Sequence, residues 1–563
     1  MSAKKKSKSK QSSETEHREN KDQLAWWKEA VIYQIYPRSF YDTNGDGIGD
    51  IQGIIEKLDY LTDLGVDALW ISPVYPSPMF DFGYDISDYE GIDPVFGDLE
   101  TFRKLLKEAH SRGIKIIMDL VINHTSHLHP WFLESRSSKE SRKRDWYIWK
   151  DKVEGKEPNN WMAAFGGKAW EWDEKTEQYY YHAFTVEQPD LNWRNPEVKN
   201  AVFKMIRFWL DMGVDGFRLD VVNYYIKDEE LRNNPRHFFN GFREYERQDH
   251  IFDRNRPETH DILKEFRKLL DSYPGDRMSV GEVFYQPPGD PEASASYCGE
   301  DDQLHMAFNF SFLYQKWSAG RFAKAIQTWE DVLSRKHGWP NYTLSNHDQK
   351  RHISRYASGK ETSARAKICA CMLLTLRGTP FLYYGEEIGM KSESVPFKYV
   401  QDPLGKRYWP LFPGRDVSRL PMCWDNTRNA GFSKGSPWLP IYSEAETVNV
   451  KTMSSDSGSL LWVYKNLIAI RKKEKALRRG TQKVLFLHQD RILAYIREYE
   501  NEKILVLLNF TSSDRKMALS EEYMLFSSSG KVLFSTHRPK DSSYVADGIL
   551  SMSPLEATVI KYG

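Results

Sequence analysis

Four short apolar segments of this chain end in side chains that can carry acid–base chemistry. Asp119-Leu-Val-Ile-Asn123-His124 closes one, Arg218-Leu-Asp220 a second and Val280-Gly-Glu282 a third, and Asn346-His347-Asp348 follows a fourth. Singly, each has a plain structural reading: a strand-end Asp is often a cap, and a core His is more often a satisfied hydrogen-bonding group than a ligand. Together they supply carboxyls and imidazoles without cysteine ligands, HExxH or clustered His, a set suited to proton transfer and nucleophilic attack rather than to zinc chemistry. Arg218 lies two residues before Asp220, on the same strand face, and an adjacent guanidinium keeps an acid ionised. Asp220 is therefore the candidate nucleophile. Glu282, behind apolar Val280 and Gly281, is the candidate for an acid that keeps its proton. Two carboxyls divided in this way are what cleavage of a bond to a sugar requires.

These residues need a frame that brings strand ends together. The apolar tail Ile206, Phe208, Trp209, Leu210 runs into Met212-Gly213, a helix stop, and a strand follows. The same beat gives strands at 31–36, 68–72, 115–121, 216–220, 278–282, 306–310, 342–346 and 380–384, separated by helical segments. Eight strands with that alternation predict an α/β fold, a (β/α)8 barrel with its chemistry at the C-terminal strand ends. A doubly wound sheet is the alternative, but no GxGxxG or P-loop is present. Residues 123–195 lack helical period and are rich in Trp, Asn and Gly, which predicts an irregular subdomain inserted after strand three. The barrel then comprises 25–122 and 196–480. Short apolar runs at Ile492–Ile496, Ile504–Leu508 and Val559–Tyr562 predict an antiparallel C-terminal β-sandwich over 481–563.

Lys+Arg and Asp+Glu are both 79, which argues against nucleic-acid and membrane-surface partners and leaves a small-molecule substrate. The four cysteines show neither a disulfide framework nor metal-ligand spacing, so a cytoplasmic location is expected. Residues 1–24 are polar and Lys/Ser-rich with no apolar run behind them, which reads as a disordered tail and not a signal peptide. No segment is long enough to cross a bilayer. A monomer or weak homo-oligomer is expected. In Asp42-Thr-Asn44-Gly-Asp46-Gly-Ile48-Gly-Asp50, oxygen ligands alternate with glycines, as a hard cation such as Ca2+ or Mg2+ requires. It is not an EF-hand, because the twelfth position is Gly53. The plain alternative is an Asn/Asp/Gly turn without metal.

The ordered motifs resemble glycoside hydrolase family 13, the α-amylase family, and within it the oligo-1,6-glucosidase and α-glucosidase group. The likeness runs from about Trp26 to the C-terminus and rests on Ala30–Phe40, Asp119–His124, Gln188–Asn192, Gly216–Asn223, Val280–Glu282 and Ser345–Asp348. It implies that Asp220 is the nucleophile, Glu282 the general acid and then base, and Asp348 a third acid gripping sugar hydroxyls. It further implies hydroxyl-binding roles for His124 and His347, with Arg218 orienting Asp220. Gly83-Tyr84-Asp85 resembles the loop that holds the terminal glucose, with Asp85 bonding its far hydroxyls and Arg419 as its basic partner. The Asp42–Asp50 loop, including the Ile48 carbonyl, resembles this group's Ca2+ or Mg2+ site; no organic cofactor is implied. Val221 after the nucleophile goes with α-1,6 preference in this group, whereas the Asp81–Asp85 and Val400–Trp409 stretches look more like enzymes acting on maltose-like sugars. A retaining exo-α-glucosidase acting on isomaltose-type sugars is thus expected. The alternatives are an α-1,4-preferring enzyme for maltose or sucrose, a trehalose-phosphate hydrolase and a non-catalytic amylase-like subunit. A sucrose isomerase is disfavoured, because Asn309–Ser318 lacks the Arg/Asp-rich motif of those enzymes.

Overall fold

The computed structural model describes residues 24–237, 241, 243–285, 289–336, 338–485, 491–518, 530–537, 545–546 and 549–562. The N-terminal tail expected to be disordered lies, but for its last residue, outside these.

In chain order the strands are β1 (Ile32–Ile35), β2 (Ala68–Ile71), β3 (Lys115–Leu120), β4 (Trp149–Lys150), β5 (Trp170–Asp173), β6 (Gln178–Tyr181), β7 (Gly216–Leu219), β8 (Met278–Gly281), β9 (Met306–Ala307), β10 (Asn341–Thr343) and β11 (Thr379–Tyr383). Eight of them form one parallel sheet in the order β10-β11-β1-β2-β3-β7-β8-β9. These strands are buried on both faces, so they read in the sequence as short, mainly apolar runs rather than as alternation, with buried polar residues such as Gln34 and Arg218 among them. Every strand of the expected set is present. The sixth and seventh are shorter than expected because Phe308–Phe310 and Leu344–Asn346 leave the sheet at its C-terminal rim. Between β9 and β10 the two chain segments are joined by one side chain: Asn341 Nδ2 donates to the Ala307 carbonyl at 2.7 Å, and its Oδ1 accepts from Asn309 N at 3.2 Å. Asn341 thereby closes the barrel.

The crossover helices follow ordinary end rules. Pro196–Met212 starts with the Asn195 side chain accepting from Glu197 N and with Pro at its first position. It ends at Gly213 with φ 110°, a left-handed stop that a side chain resists. Its Val198, Val202, Ile206, Trp209 and Leu210 face the sheet, at helical spacing.

The segment after β3 is less irregular than its composition predicts. It contains a helix at Pro130–Ser135 and a small antiparallel sheet, β4-β6-β5, over a cluster of Trp161, Trp170 and Tyr181. The chain ends in β12 (Thr481–Leu485), β13 (Ile492–Tyr499), β14 (Glu502–Asn509), β15 (Arg515–Ala518), β16 (Lys531–Ser535), β17 (Val545–Ala546), β18 (Ile549–Met552) and β19 (Ala557–Tyr562). Five of these pair as β12-β13-β14-β19-β16 and three as β15-β18-β17. Leu493, Tyr495, Ile504, Val506 and Leu508 join the barrel's core, while Ile492, Ala494, Ile496, Leu505 and Leu507 form a separate cluster with Leu550 and Met552. The period of two thus supplies one face for docking and one for the second sheet.

Candidate active site

At the C-terminal rim the backbone ladder continues past the strands. Asp220 N donates to the Leu120 carbonyl at 3.0 Å, Glu282 N to the Leu219 carbonyl at 2.9 Å and Val222 N to the Glu282 carbonyl at 2.9 Å. The two acids therefore sit on adjacent strand ends in fixed register. Beneath them lies Arg218, 1% exposed. Its Nη1 donates to Asp119 at 2.8 Å and to Asp220 at 2.6 Å, and its Nη2 donates to Glu282 at 2.5 Å. One guanidinium fork thus gathers three carboxyls, which the strand spacing alone had suggested only for Asp220. Trp70 Nε1 at 3.2 Å and the Tyr84 hydroxyl at 3.1 Å also donate to Asp119, leaving it a support below the pocket.

The electrostatics differ from the simple expectation that Arg218 keeps Asp220 ionised. Burial raises the Asp220 carboxyl well above the usual range, Arg218 opposes this, and the negative Glu282 and Asp119 reinforce it. Burial likewise pushes Asp119 up to about 6 against the pull of Arg218. Asp119 and Asp220 share one cation in a buried site and cannot both ionise freely, so their protons belong to the pair rather than to either residue.

A pocket of about 640 Å3 opens above, lined by Asp220, Glu282, Asp348, Tyr84, His124, His347 and Val221 among others. Burial lowers His124 to about 4 and His347 to about 3, so both are neutral at pH 7. The Gln34 amide lies 2.7 Å from His347 Nδ1 and donates to it, which leaves Nε2–H facing the Tyr84 hydroxyl at 2.7 Å and Asp348 at 3.2 Å. Burial would raise Asp348, but the adjoining His347, Arg415, Arg419 and Arg218 outweigh it and hold the carboxyl below its ordinary range. Of the arginines, Arg419 stands 3.1 Å away and Arg415 3.4 Å. Val221 adopts φ 37°, ψ 50°, a left-handed conformation that a β-branched residue resists, and it follows the candidate nucleophile directly.

Two expectations are corrected. Asp85 does not face the pocket: it is 0% exposed, and its carboxylate accepts from Ser77 Oγ at 2.8 Å, Phe80 N at 2.9 Å and Asp81 N at 3.0 Å. Those three donors hold the loop in shape and turn Asp81 inward in its place. The basic partner of Asp81 is Arg415, at 2.5 Å, and not Arg419, which braces Asp348 and donates to the His347 carbonyl at 2.9 Å. Both missed residues line the pocket. The sequence signal was present, since each lies four residues from its counterpart in the same motif, but spacing could not choose between them. Also missed were the pocket's aromatic walls, Phe165, Phe184, Tyr224, Tyr245 and Phe284.

The Asp42–Asp50 loop lies apart from this pocket's lining residues and folds as successive Asx turns. Asp42 accepts from Gly45 N at 2.7 Å and Gly47 N at 2.8 Å, Asn44 from Asp46 N at 2.8 Å, and Asp46 from Ile48 N at 2.8 Å. Asp50 caps the helix Ile51–Glu56 through Gly53 N. The donor chemistry, all oxygen, fits a hard cation. Among the described residues, however, no group of three or more His, Cys, Asp or Glu side chains converges on one point.

Residues 34–480 match the model of the alpha amylase catalytic domain, and residues 492–559 match the alpha-amylase SusG C-terminal domain. A protein of Rhizobium meliloti (strain 1021) named "Probable alpha-glucosidase" is 44% identical over 86% of this chain and 89% of its own length. The oligo-1,6-glucosidase of Parageobacillus thermoglucosidasius is 41% identical over 95% of this chain and 99% of its own. The solved structure of the alpha-glucosyl transfer enzyme XgtA superposes with a TM-score of 0.89 at 41% identity, covering 96% of this chain and 100% of that one. With its barrel, its rim of acids and a catalytic-domain match spanning most of its length, this chain belongs to the α-amylase family.

Proposed function

We propose that this protein is a retaining, exo-acting α-glucosidase that prefers α-1,6 linkages in short isomaltose-type sugars. It is a glycosidase that hydrolyses α-glucosidic bonds. The observation that carries the assignment of roles is the single guanidinium of Arg218 holding Asp220 and Glu282 together at the pocket floor. Sharing one fork favours the short carboxyl separation of retaining enzymes, about 5–5.5 Å, over the wider gap that leaves room for water in inverting ones.

In this reading Glu282 gives its proton to the glycosidic oxygen while the Asp220 carboxylate attacks the anomeric carbon. The C1–O bond to the leaving sugar breaks, and a β-glucosyl ester forms. Glu282, now ionised, takes a proton from water, whose oxygen attacks C1, and Asp220 is released with α-glucose. Asp348, ionised beside two arginines, and the neutral His124 and His347 hold the glucose hydroxyls. Asp81, paired with Arg415, meets its far end. Tyr84 packs flat against His347, with ring planes 1° apart, and keeps that imidazole in place.

Val221 supports the linkage preference, because its branched side chain lines the pocket immediately after Asp220. The oligo-1,6-glucosidase relative points the same way, whereas the relative named an alpha-glucosidase leaves maltose-type activity as the second reading. Such single-residue selectivity amounts to about 1–3 kcal/mol. Glucose release from isomaltose, maltose, sucrose, trehalose and trehalose phosphate decides between them. Isomaltose is expected first, and an NMR time course should show α-glucose initially. Val221→Ala should raise the maltose-to-isomaltose ratio of kcat/KM; an unchanged ratio or an initial β-anomer would sink the assignment.

The Asp42–Asp50 loop is proposed to take Ca2+ through Asp42, Asn44, Asp46, Asp50 and the Ile48 carbonyl, as a brace with no part in the chemistry. Four free cysteines, all buried, accord with a cytoplasmic location. Among the described residues, no helix is long and apolar enough to cross a membrane.

A further inference from the structure

Beside Val221 the pocket wall is made by the rings of Tyr224 and Tyr245, each 2% exposed. Their hydroxyls do not serve the cavity. They bond to each other and to Arg254, whose Nη1 donates to Tyr224 Oη at 3.0 Å and to Tyr245 Oη at 3.1 Å. Arg254 is 3% exposed and does not line the pocket. Its guanidinium carbon stands 5.6 Å from the Tyr224 ring centroid, 5.8 Å from that of Tyr245 and 5.8 Å from that of Phe284, a third wall residue.

The same loop is pinned again from behind. The His250 ring stacks on Tyr245 with centroids 3.8 Å apart, and its nitrogens reach Asp253 Oδ2 at 2.7 Å and the Tyr245 carbonyl at 2.8 Å. Asn160 of the inserted segment exchanges hydrogen bonds with Asn233, Asn234 and Gln248 on either side of that loop's chain. A purely space-filling role would not need a cation here, because a buried guanidinium carries a desolvation cost that an aliphatic side chain avoids. What the guanidinium adds is direction, since one nitrogen fixes two phenols at once.

We propose that Arg254 is a positioning residue for the leaving-group side of the pocket, clamping Tyr224 and Tyr245 as a rigid wall that, with Val221, sets which leaving sugar fits. This rests on the α-glucosidase reading above. The glucose-binding end is built on Asp220, His124, His347 and Asp348, whose hydrogen-bond and ion-pair partners include Arg218, Tyr84, Gln34, Arg415 and Arg419 but none of the clamp residues.

The test compares wild type, Arg254→Met, Arg254→Lys and Tyr245→Phe. Hydrolysis of isomaltose and maltose reports on the leaving-group side, and affinity for 1-deoxynojirimycin, a glucose mimic without a leaving group, reports on the other end. Arg254→Met should raise KM for isomaltose roughly tenfold with kcat within about twofold. The isomaltose-to-maltose ratio of kcat/KM should move, and 1-deoxynojirimycin affinity should stay within about twofold. Arg254→Lys should recover most of the KM. Tyr245→Phe, which deletes one oxygen, should shift KM the same way and serves if Arg254→Met does not fold. Unmoved KM and ratio, equal weakening of isomaltose and 1-deoxynojirimycin, or a fall in kcat at constant KM would each overturn the proposal. A wild type that frees glucose from neither sugar refutes the α-glucosidase reading and this one with it, whereas an active wild type with unmoved variants refutes only the clamp.

Discussion

Glu282→Gln removes the proton donor that the mechanism assigns to the leaving group while keeping a neutral side chain on Arg218, and its consequence can be worked out substrate by substrate. In the reacting form Glu282 carries its proton and Asp220 is ionised, so the variant leaves the charge beside Asp220 as it was. A positioned general acid contributes about 100–10,000-fold in rate. For isomaltose, whose leaving oxygen needs that proton, kcat/KM should fall by about that factor, or about 3–5 kcal/mol at ~1.4 kcal/mol per decade. For 2,4-dinitrophenyl α-glucoside, whose leaving group departs without a general acid, it should fall by less than about tenfold. The assay is the pH dependence of kcat/KM on the two substrates. In the wild type the acid limb should lie above the ordinary carboxylate range, because burial raises both Asp119, to about 6, and Asp220. In Glu282→Gln that limb should stay in place on the dinitrophenyl substrate. Equal losses on the two substrates, or an acid limb that shifts with the substitution, would refute the assignment of Glu282 as the proton donor.

The corrected glucose-end assignment predicts that Asp81→Asn lowers kcat/KM about 10–100-fold, the value of one charge-assisted hydrogen bond, with little change in Tm because Arg415 keeps Asp402. Equal activity of wild type and Asp81→Asn would return the role to Asp85. At the opposite barrel end Asp215, 1% exposed, meets His110 at 2.6 Å, Lys115 at 3.1 Å and Arg277 at 3.1 Å. Burial would raise its carboxyl, but the His110 hydrogen bond, the Ile116 N–H and the cations outweigh it and hold it below the ordinary value. Its stabilisation is therefore present above the unfolded-state pKa and is lost as pH falls through the lower, folded one. Asp215→Asn should lose about 2–4 kcal/mol by urea titration at pH 7 and show a flatter decline toward pH 3; matching midpoints at pH 7 would contradict this. Ca2+ added to EDTA-treated protein should raise Tm while leaving the low-temperature kcat unchanged, and Asp42→Asn should abolish the rise; a Tm indifferent to Ca2+ would remove the metal from the loop.

The sequence alone was enough for the barrel and for most of the rim. Strands buried on both faces are short, mainly apolar runs, the intervening helices announce themselves by stops such as Gly213, and several charged residues ending such runs at one barrel end point to chemistry there, although each alone reads equally well as a cap. Asp119, Asp220, Glu282 and Asp348 were legible for that reason. Tertiary structure decided what depends on contacts between segments far apart in the chain. Arg218 reads locally as the partner of Asp220, yet strand neighbours that no spacing reveals make it the partner of Asp119 and Glu282 as well, and burial, reinforced by those carboxyls, reverses the expected direction of the Asp220 shift. Asp81 and Asp85 differ by one helical turn's worth of sequence, and only the donors on Ser77, Phe80 and Asp81 settle which carboxylate is consumed by its own loop. The wall of Tyr224 and Tyr245, with Arg254 behind it, belongs to an irregular stretch without periodicity, and Asn341, an ordinary strand residue by pattern, closes the barrel. In each case the deciding energy is a hydrogen bond or a charge placed in a dry environment, and that environment exists only once the whole chain has packed around it.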